Sequence, residues 1–297
     1  MNPDTTRVVA VMALWASCYP LITLGLDDAP HLTFAAMRAV LASGVLLSVA
    51  FYLRLPIPRE PRLWMWLAIA GFGTTTLGYL GMFHAAEYVA PGFATIITNT
   101  QPLLAAILAY FVLQEHLGTR ARIGLLIGFL GVVVAAAPQL TGGDAGATVK
   151  GIAFILLAAI GVSIGNVAIK RIASAIAPTS AMGWQLLIGA APLVVFAAAT
   201  EDPGAISWTP DFLFSLIGLS LFGTALAFWL WQTALTKMDL SRANAFSFLV
   251  PFLGISFGAM FFGEPVTLNA LGGAALAVIG VRLVLARSSK IGPQHEP

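Results

Sequence analysis

Charged residues are scarce in this sequence of 297 residues, where Asp, Glu, Lys and Arg make up 9% and hydrophobic residues 59%. A water-soluble globular domain carries roughly 25% charged residues, so the composition excludes a soluble globule. The mean hydropathy of +0.90 agrees. The sequence indicates an integral membrane protein whose surroundings are the lipid bilayer.

Cysteine and membrane-embedded acids are also scarce. Cys18 is the single cysteine, which excludes an internal disulfide. No Asp or Glu lies near the centre of a predicted membrane span, so neither a central carboxylate relay nor an aspartate cluster for a metal is visible, and we expect no cofactor. The formal charge of +2 is not gathered on a soluble face, so we expect no nucleic-acid partner.

Apolar segments long enough to cross the bilayer, which takes ~20 residues in a helix, recur along the whole chain. The loops between them are short, which leaves no room for a soluble catalytic domain. The sequence therefore predicts an all-α membrane protein with ten transmembrane helices. The predicted spans are 7–24, 33–53, 64–84, 91–113, 122–138, 150–169, 180–199, 212–235, 243–262 and 267–286.

A proline followed thirteen residues later by a glutamate occurs twice, as Pro102 to Glu115 and as Pro251 to Glu264, at an offset of 149 residues. The triplet Phe-Gly-Thr also recurs, beginning at Phe72 and again at Phe222. A self-similarity of this length has the size of half a transporter. We predict a first repeat over 1–140, a linker over 141–148, a second repeat over 149–288 and a tail over 289–297.

The orientation follows from the odd number of spans in each repeat, because two five-helix units joined by a short loop must enter the membrane from opposite sides. With both termini in the cytoplasm, the inner loops and ends carry thirteen Lys and Arg residues and the outer loops carry only Lys150. This asymmetry is typical of the positive-inside rule. We expect two inverted repeats with cytoplasmic termini.

These features resemble the drug/metabolite transporter superfamily, in its EamA-type ten-helix branch. The similarity rests on Gln101-Pro102 through Gln114-Glu115, on its copy at Val250-Pro251 through Gly263-Glu264, and on Met37-Arg38-Ala39 in the second span. Within the branch the chain is similar to bacterial amino-acid exporters, including the YddG-type exporters of aromatic amino acids. The resemblance implies a central cavity, alternating access and a place in the bacterial inner membrane.

Polar side chains of the predicted spans should face the interior of the bundle, because a polar group that faces lipid has no hydrogen-bond partner. Two stripes at helical spacing lie before the repeated prolines, and Pro102 and Pro251 themselves remove backbone donors from their helices. The two prolines could kink packed helices or act as gating positions, and the sequence leaves both interpretations open. The stripes are Thr95, Thr98 and Asn99 in the fourth span and Asn244, Ser247 and Phe248 in the ninth.

Aromatic rings and hydroxyls on other spans complete the predicted substrate site, since rings supply contact area and a few polar groups fix orientation. Interfacial anchoring is the alternative for the tryptophans. The further candidates are Trp15, Tyr19, Tyr79, Ser163, Asn166 and Trp229. Glycine pairs such as Gly124 and Gly128 are interpreted as helix-packing positions.

Arg38 is the one cation placed well inside a predicted span, where insertion costs about 2.5 to 3.5 kcal/mol. It could bind a substrate carboxylate. The alternative is that it snorkels towards the outer headgroups near Asp27 and Asp28 or forms a structural ion pair, and the sequence favours this alternative.

The resemblance and the residues together predict a secondary transporter that exports amino acids, with export of a nucleoside, sugar or cationic compound as the alternative. The sequence does not exclude a passive channel or a lipid scramblase, because a polar groove would serve either function. Gly161-Val162-Ser163-Ile164-Gly165 matches a serine-hydrolase pattern, but that pattern needs a strand-turn-helix elbow, so we expect no enzyme. The sequence does not fix the oligomeric state, and a monomer is the simplest expectation.

Overall fold

A computed structural model describes residues 3–85, 88, 98–137, 145–262 and 266–286. Every regular element in these ranges is helical. In chain order they are α1 (Pro3–Leu26), α2 (His31–Tyr52), α3 (Pro61–Ala85), α4 (Gln101–Val112), α5 (Thr119–Ala136), α6 (Ala145–Arg171), α7 (Pro178–Thr200), α8 (Pro210–Leu235), α9 (residues 240–262) and α10 (Leu268–Leu285).

Seven of the described helices are long and apolar enough to cross a membrane: α1, α2, α3, α6, α7, α8 and α10. The described part of α4 is a shorter apolar helix of 12 residues, and residues 91–97 of the predicted fourth span lie outside the described ranges. Helix α6 begins at Ala145, inside the segment 141–148 that the sequence analysis treats as a linker. Length and apolarity thus identify a multi-pass membrane protein.

Two helices contain a π-helical segment, Gly71–Leu77 in α3 and Leu219–Leu226 in α8. The two copies of the Phe-Gly-Thr triplet lie within these segments. A π-helical segment widens the turn and shifts the phase of the residues that follow, and such segments are frequent at functional sites. The recurrence in the sequence therefore marks a shared irregularity of backbone geometry.

Helix α9 is broken before its proline. It consists of Leu240–Ala245, a 3₁₀ turn over Phe246–Leu249, and Val250–Phe262. Pro251 explains the break, because its ring has no N–H and clashes with the carbonyl group four residues earlier. Pro102 lies within the first two residues of the described α4. Both repeated prolines therefore lie near the N-terminal side of a helical segment.

Glycines bring pairs of helices into backbone contact. A Cβ atom built on Gly280 of α10 would lie 2.5 Å from the Gly128 nitrogen and 2.6 Å from the Gly124 oxygen of α5. A Cβ atom on Gly73 of α3 would lie 2.5 Å from the Gly161 oxygen of α6. These distances leave no room for a side chain, as expected where small residues let membrane helices approach closely.

A carboxylate at the end of one helix caps the N-terminus of another at each end of the bundle. Glu115, which follows α4, accepts hydrogen bonds from the Leu240 N–H (2.8 Å) and from the Ser241 N–H (3.0 Å) and hydroxyl (2.9 Å) at the start of α9. Glu201, which follows α7, accepts from the Leu32 N–H (2.9 Å) and from the Thr33 N–H and hydroxyl (both 2.7 Å) at the start of α2. An anion suits a helix N-terminus, where free N–H groups carry partial positive charge.

A second charged residue, Lys170, contacts the chain between α8 and α9. The Lys170 ammonium group, at the end of α6, donates to the Leu235 oxygen (2.6 Å) and the Met238 oxygen (2.8 Å). A cation suits the C-terminus of a helix, where carbonyl groups lack intrahelical partners. Glu115 and Lys170 thus fix the connection from α8 to α9 from both sides.

Candidate functional site

Buried polar side chains gather inside the bundle and form what we call the polar interior. They come from seven helices and from the turn before α4. Members of the polar interior are Arg38, Thr75, Asn99, Gln101, Ser163, Asn166, Gln185, Ser220, Thr224, Gln232 and Asn244, each at most 8% exposed.

Helix α6 connects to α4 and α8 through this interior. The Ser163 hydroxyl donates to the Ala159 oxygen (2.7 Å) and to the Gln101 oxygen at 3.3 Å. One turn along α6, the Asn166 Oδ1 accepts a hydrogen bond of 3.3 Å from the Trp231 indole N–H of α8. The two contacts place Ser163 and Asn166 on the inward face, as the sequence predicts.

Aromatic rings from α1 and α8 cover this hydrogen bond. The Trp15 ring lies 5.4 Å from the Trp231 ring and 6.2 Å from the Phe228 ring between centroids. Tilted and edge-to-face arrangements at such distances are favourable for aromatic pairs. Trp15 therefore belongs to an aromatic cluster that lines the polar interior.

Helix α8 exposes one predicted tryptophan and buries its neighbour. Trp229 is 37% exposed, whereas Trp231, two residues further, is 3% exposed and carries the hydrogen bond to Asn166. Of the two tryptophans, Trp231 is the one that faces the polar interior. The wide π-helical turn of Leu219–Leu226 lies directly before these residues and changes the helical phase that a simple 3.6-residue period assumes.

The predicted stripe of α9, which consists of Asn244, Ser247 and Phe248, lies in two different surroundings. Asn244 is 2% exposed, and its backbone oxygen accepts a hydrogen bond of 2.6 Å from the Ser247 hydroxyl. Phe248 instead packs in a hydrophobic cluster with Leu125 and Val132 of α5, and its ring lies next to Gly128. Phe248 thus supports helix packing in this structure, whereas the buried Asn244 side chain leaves its Nδ2 without a hydrogen-bond partner among the described residues.

The structure describes some of the remaining predicted site residues and not others. Asn99 is 8% exposed just before α4, and Thr98 is half-buried beside it. Thr95 and the side chain of Tyr19 lie outside the described residues. In α3, Tyr79 is 8% exposed and packs against Arg38.

Arg38 of α2 is buried in a contact with α3 and α8. It is 7% exposed, its guanidinium carbon lies 4.7 Å from the centroid of the Tyr79 ring, and its Nε donates to the Thr224 hydroxyl at 3.2 Å. The expectation of snorkelling towards Asp27 and Asp28 is wrong, because the side chain is turned inward. Asp28 accepts a hydrogen bond of 2.6 Å from the Thr209 hydroxyl instead.

Thr74, the threonine of the first Phe-Gly-Thr triplet, also accepts a hydrogen bond from another helix. Gln185 of α7 donates from its Nε2 to the Thr74 hydroxyl (2.7 Å) and to the Thr75 hydroxyl (2.6 Å) of α3. In α8 the matching Thr224 accepts from Arg38. The recurrence of Phe-Gly-Thr was the available sequence signal for both contacts, whereas no pattern pointed to Gln101, Gln185 or Ser220.

The structure also places the residues that bear on metal binding and on the serine-hydrolase pattern. Over the described ranges, no group of three or more His, Cys, Asp and Glu residues is arranged to hold a metal ion. Ser163 donates to two backbone oxygens. His84 contacts the Leu80 oxygen through its Nδ1 (2.9 Å), and its ring stacks on Phe154.

The indole hydrogen bond in the interior gives a specific prediction. We expect Trp231→Phe to cost about 1 kcal/mol of stability, because a neutral hydrogen bond to Asn166 is lost. The matched change Trp229→Phe in the exposed neighbour should have little effect on stability. Thermal unfolding of both variants measures this. Equal effects of the two changes would contradict the inward placement of Trp231.

Comparison with known proteins agrees with the membrane architecture. The family model described as "EamA-like transporter family" matches this chain twice, over residues 7–137 and over residues 149–286. The "Uncharacterized transporter YvbV" of Bacillus subtilis is 29% identical over 287 residues, which cover 95% of this chain and 93% of the relative.

Two further comparisons bear on function and on fold. A "Probable amino-acid metabolite efflux pump" of Salmonella typhimurium is 27% identical over 289 residues, covering 94% of this chain and 93% of the pump. A solved crystal structure superposes with a TM-score of 0.83 at 20% identity, covering 96% of this chain and 97% of the other. At that identity the superposition shows a shared fold.

Proposed function

The chain belongs to the EamA-like transporter family, and from this premise we propose that it exports small metabolites across the bacterial cytoplasmic membrane by alternating access. Neutral amino acids, aromatic ones included, are the proposed substrates. The observation that carries the proposal is the polar interior, where amides, hydroxyls and tryptophan rings from α1, α4, α6, α8 and α9 are held away from lipid. In a membrane helix such groups mark a solute pathway.

The proposed architecture has ten transmembrane helices in two inverted five-helix repeats, over residues 1–140 and 149–288, with both termini in the cytoplasm. The double match of the family model supports two repeats. The excess of Lys and Arg in the assigned inner loops supports the orientation. Under this orientation the Glu115 end of the bundle faces the cytoplasm and the Glu201 end faces outward.

The proposed substrate pathway uses Trp15, Asn99, Ser163, Asn166, Trp231 and Asn244. The support is chemical, since a zwitterion with an apolar side chain needs a few polar groups for its charges and rings or aliphatic groups for its body. Amino-acid efflux is also what the name of the Salmonella relative states for that protein. Pro102 and Pro251 are proposed as the positions where α4 and α9 bend during transport.

Counterflow in proteoliposomes tests this function. Vesicles that contain the purified full-length chain and unlabelled phenylalanine should accumulate labelled phenylalanine transiently, and other neutral amino acids should compete in a saturable manner. Nucleosides, sugars and cationic drugs in the same panel test the alternative substrates. Competition by these compounds alone would overturn the amino-acid proposal, and non-saturable flux would overturn the carrier. Ser163→Ala should raise KM and still leave most of the flux measurable at saturating substrate, whereas a serine hydrolase would lose all turnover.

A further inference from the structure

We propose that Arg38, together with the hydroxyl groups of Tyr79 and Ser220, forms an anion subsite that binds the carboxylate group of the transported solute. The inference rests on the proposed function, since it assigns part of the same transport pathway. It also goes beyond that function, because it restricts the substrates to solutes that carry a carboxylate.

The positive charge of Arg38 is not paired with an acidic residue in the described ranges, and the side chain is 7% exposed. A buried cation in a membrane span is normally paired, because an unpaired charge costs several kcal/mol to remove from water. A solute carboxylate would supply the missing negative charge.

The guanidinium group of Arg38 is held by two helices. Its Nε donates to the Thr224 hydroxyl of α8, and its central carbon lies 4.7 Å from the centroid of the Tyr79 ring of α3. No hydrogen bond joins Nη1 or Nη2 to another described residue. These two nitrogens are the pair that binds a carboxylate in a bidentate manner. Arg38 is therefore oriented in advance for a planar anion.

Two buried hydroxyl groups near Arg38 have no hydrogen-bond partner among the described residues. They are the Tyr79 Oη and the Ser220 Oγ, whose residues are 8% and 2% exposed. Tyr79 is the residue under the guanidinium group, and Ser220 lies four residues before Thr224 on the π-helical segment. A buried hydroxyl left unpaired costs about 1–3 kcal/mol, and a carboxylate oxygen would accept from it.

The position within the bundle agrees with a pathway subsite. Arg38 is the eighth residue of α2, about 10 Å from the start of that helix at 1.5 Å per residue. Gly223, next to Thr224, packs against the Cys18 sulfur of α1, so α1, α2, α3 and α8 all approach this point. In the proposed orientation the subsite lies in the outer half of the protein.

The experiment compares an acid with its uncharged amide. L-Phenylalanine and L-phenylalaninamide differ at the carboxyl group, and a charge-assisted hydrogen bond contributes about 1.5–3 kcal/mol, which is roughly 10- to 100-fold in affinity. In proteoliposomes the unmodified protein should prefer the acid by at least about tenfold. Arg38→Gln should abolish that preference by raising KM for the acid, and Arg38→Lys should restore part of it.

Two more variants separate recognition from folding. Tyr79→Phe keeps the ring under the guanidinium group and removes only the hydroxyl, so KM should rise for the acid and stay constant for the amide. Arg59→Gln, in an exposed loop, should leave both KM values unchanged. If Arg38→Gln reduces acid and amide flux by the same factor, Arg38 is a structural brace or holds an inorganic anion, and the proposal is overturned.

Failure of the subsite and failure of the proposed function give different results. An independent readout is the thermal midpoint of the purified protein with 3-phenylpropionate or its amide. Stabilisation by the acid alone, lost in Arg38→Gln, supports the subsite even if no amino acid is transported. Amino-acid transport without any acid-to-amide preference would instead overturn the subsite and leave the proposed function standing.

Discussion

Gly280→Ala is expected to destabilise the protein by about 3 kcal/mol, at the upper end of the cost of overpacking. The added methyl group would lie 2.5 Å from the Gly128 nitrogen and 2.6 Å from the Gly124 oxygen. Both atoms belong to the backbone of α5, which cannot move aside as a flexible side chain can. Helices α5 and α10 must separate, and the loss of their close contact lowers the thermal midpoint measured in detergent.

Gly272→Ala is the matched control on the same helix. Gly272 also lies in α10, but apart from its own chain neighbours and the adjacent backbone of α10 no atom lies within 4 Å of the position its Cβ would occupy. We expect this variant to unfold at nearly the same temperature as the unmodified protein. If Gly280→Ala is as stable as Gly272→Ala, α5 and α10 are not in backbone contact and the description of this helix pair is wrong.

Glu115→Ala is expected to open the start of α9. The change removes three hydrogen bonds, to two backbone N–H groups and one hydroxyl at Leu240 and Ser241. Hydrogen bonds to a charged group contribute about 1.5–3 kcal/mol each and are not additive, so we expect a local loss of about 3 kcal/mol. Amide hydrogen exchange at residues 240 and 241 should accelerate by about 100-fold, and transport should fall because α4 and α9 lose their connection.

Two further variants test this prediction: Glu115→Gln is the intermediate case and Glu60→Ala is the control. Glutamine keeps one acceptor oxygen and loses the charge, so its exchange rates should fall between those of the unmodified protein and Glu115→Ala. Glu60 is exposed and its side chain caps no helix, so its replacement should leave exchange at α9 unchanged. Unchanged exchange in Glu115→Ala would show that the carboxylate does not hold the start of α9.

Repetition in the sequence coincides with irregular backbone in the structure but does not identify the contacts of the repeated residues. The doubled proline and the doubled Phe-Gly-Thr triplet marked a helix break in α9 and π-helical segments in α3 and α8. The triplet threonines then proved to bind Gln185 and Arg38. Their partners lie 111 and 186 residues away in the chain, and no local spacing identifies a partner at such a distance.

Only the folded helices show which candidate side chains face the interior. Trp229 and Trp231 are two residues apart, so an α-helix cannot direct both towards the same interior. The π-helical turn before them changes the phase, and only the folded helix shows that Trp231 is the inward residue. Phe248 was likewise found against Gly128 of α5, a contact set by the packing of two helices.

The sequence alone determined the membrane location of the protein, because apolar segments of bilayer length and a 9% charged fraction leave no other solvent for the chain. It also identified the residues whose burial needs an explanation, with Arg38 foremost among them. Only the tertiary structure decided how that burial is achieved. Arg38 lies on the Tyr79 ring and donates to Thr224 because α2, α3 and α8 meet there, and such a meeting depends on the packing of distant helices.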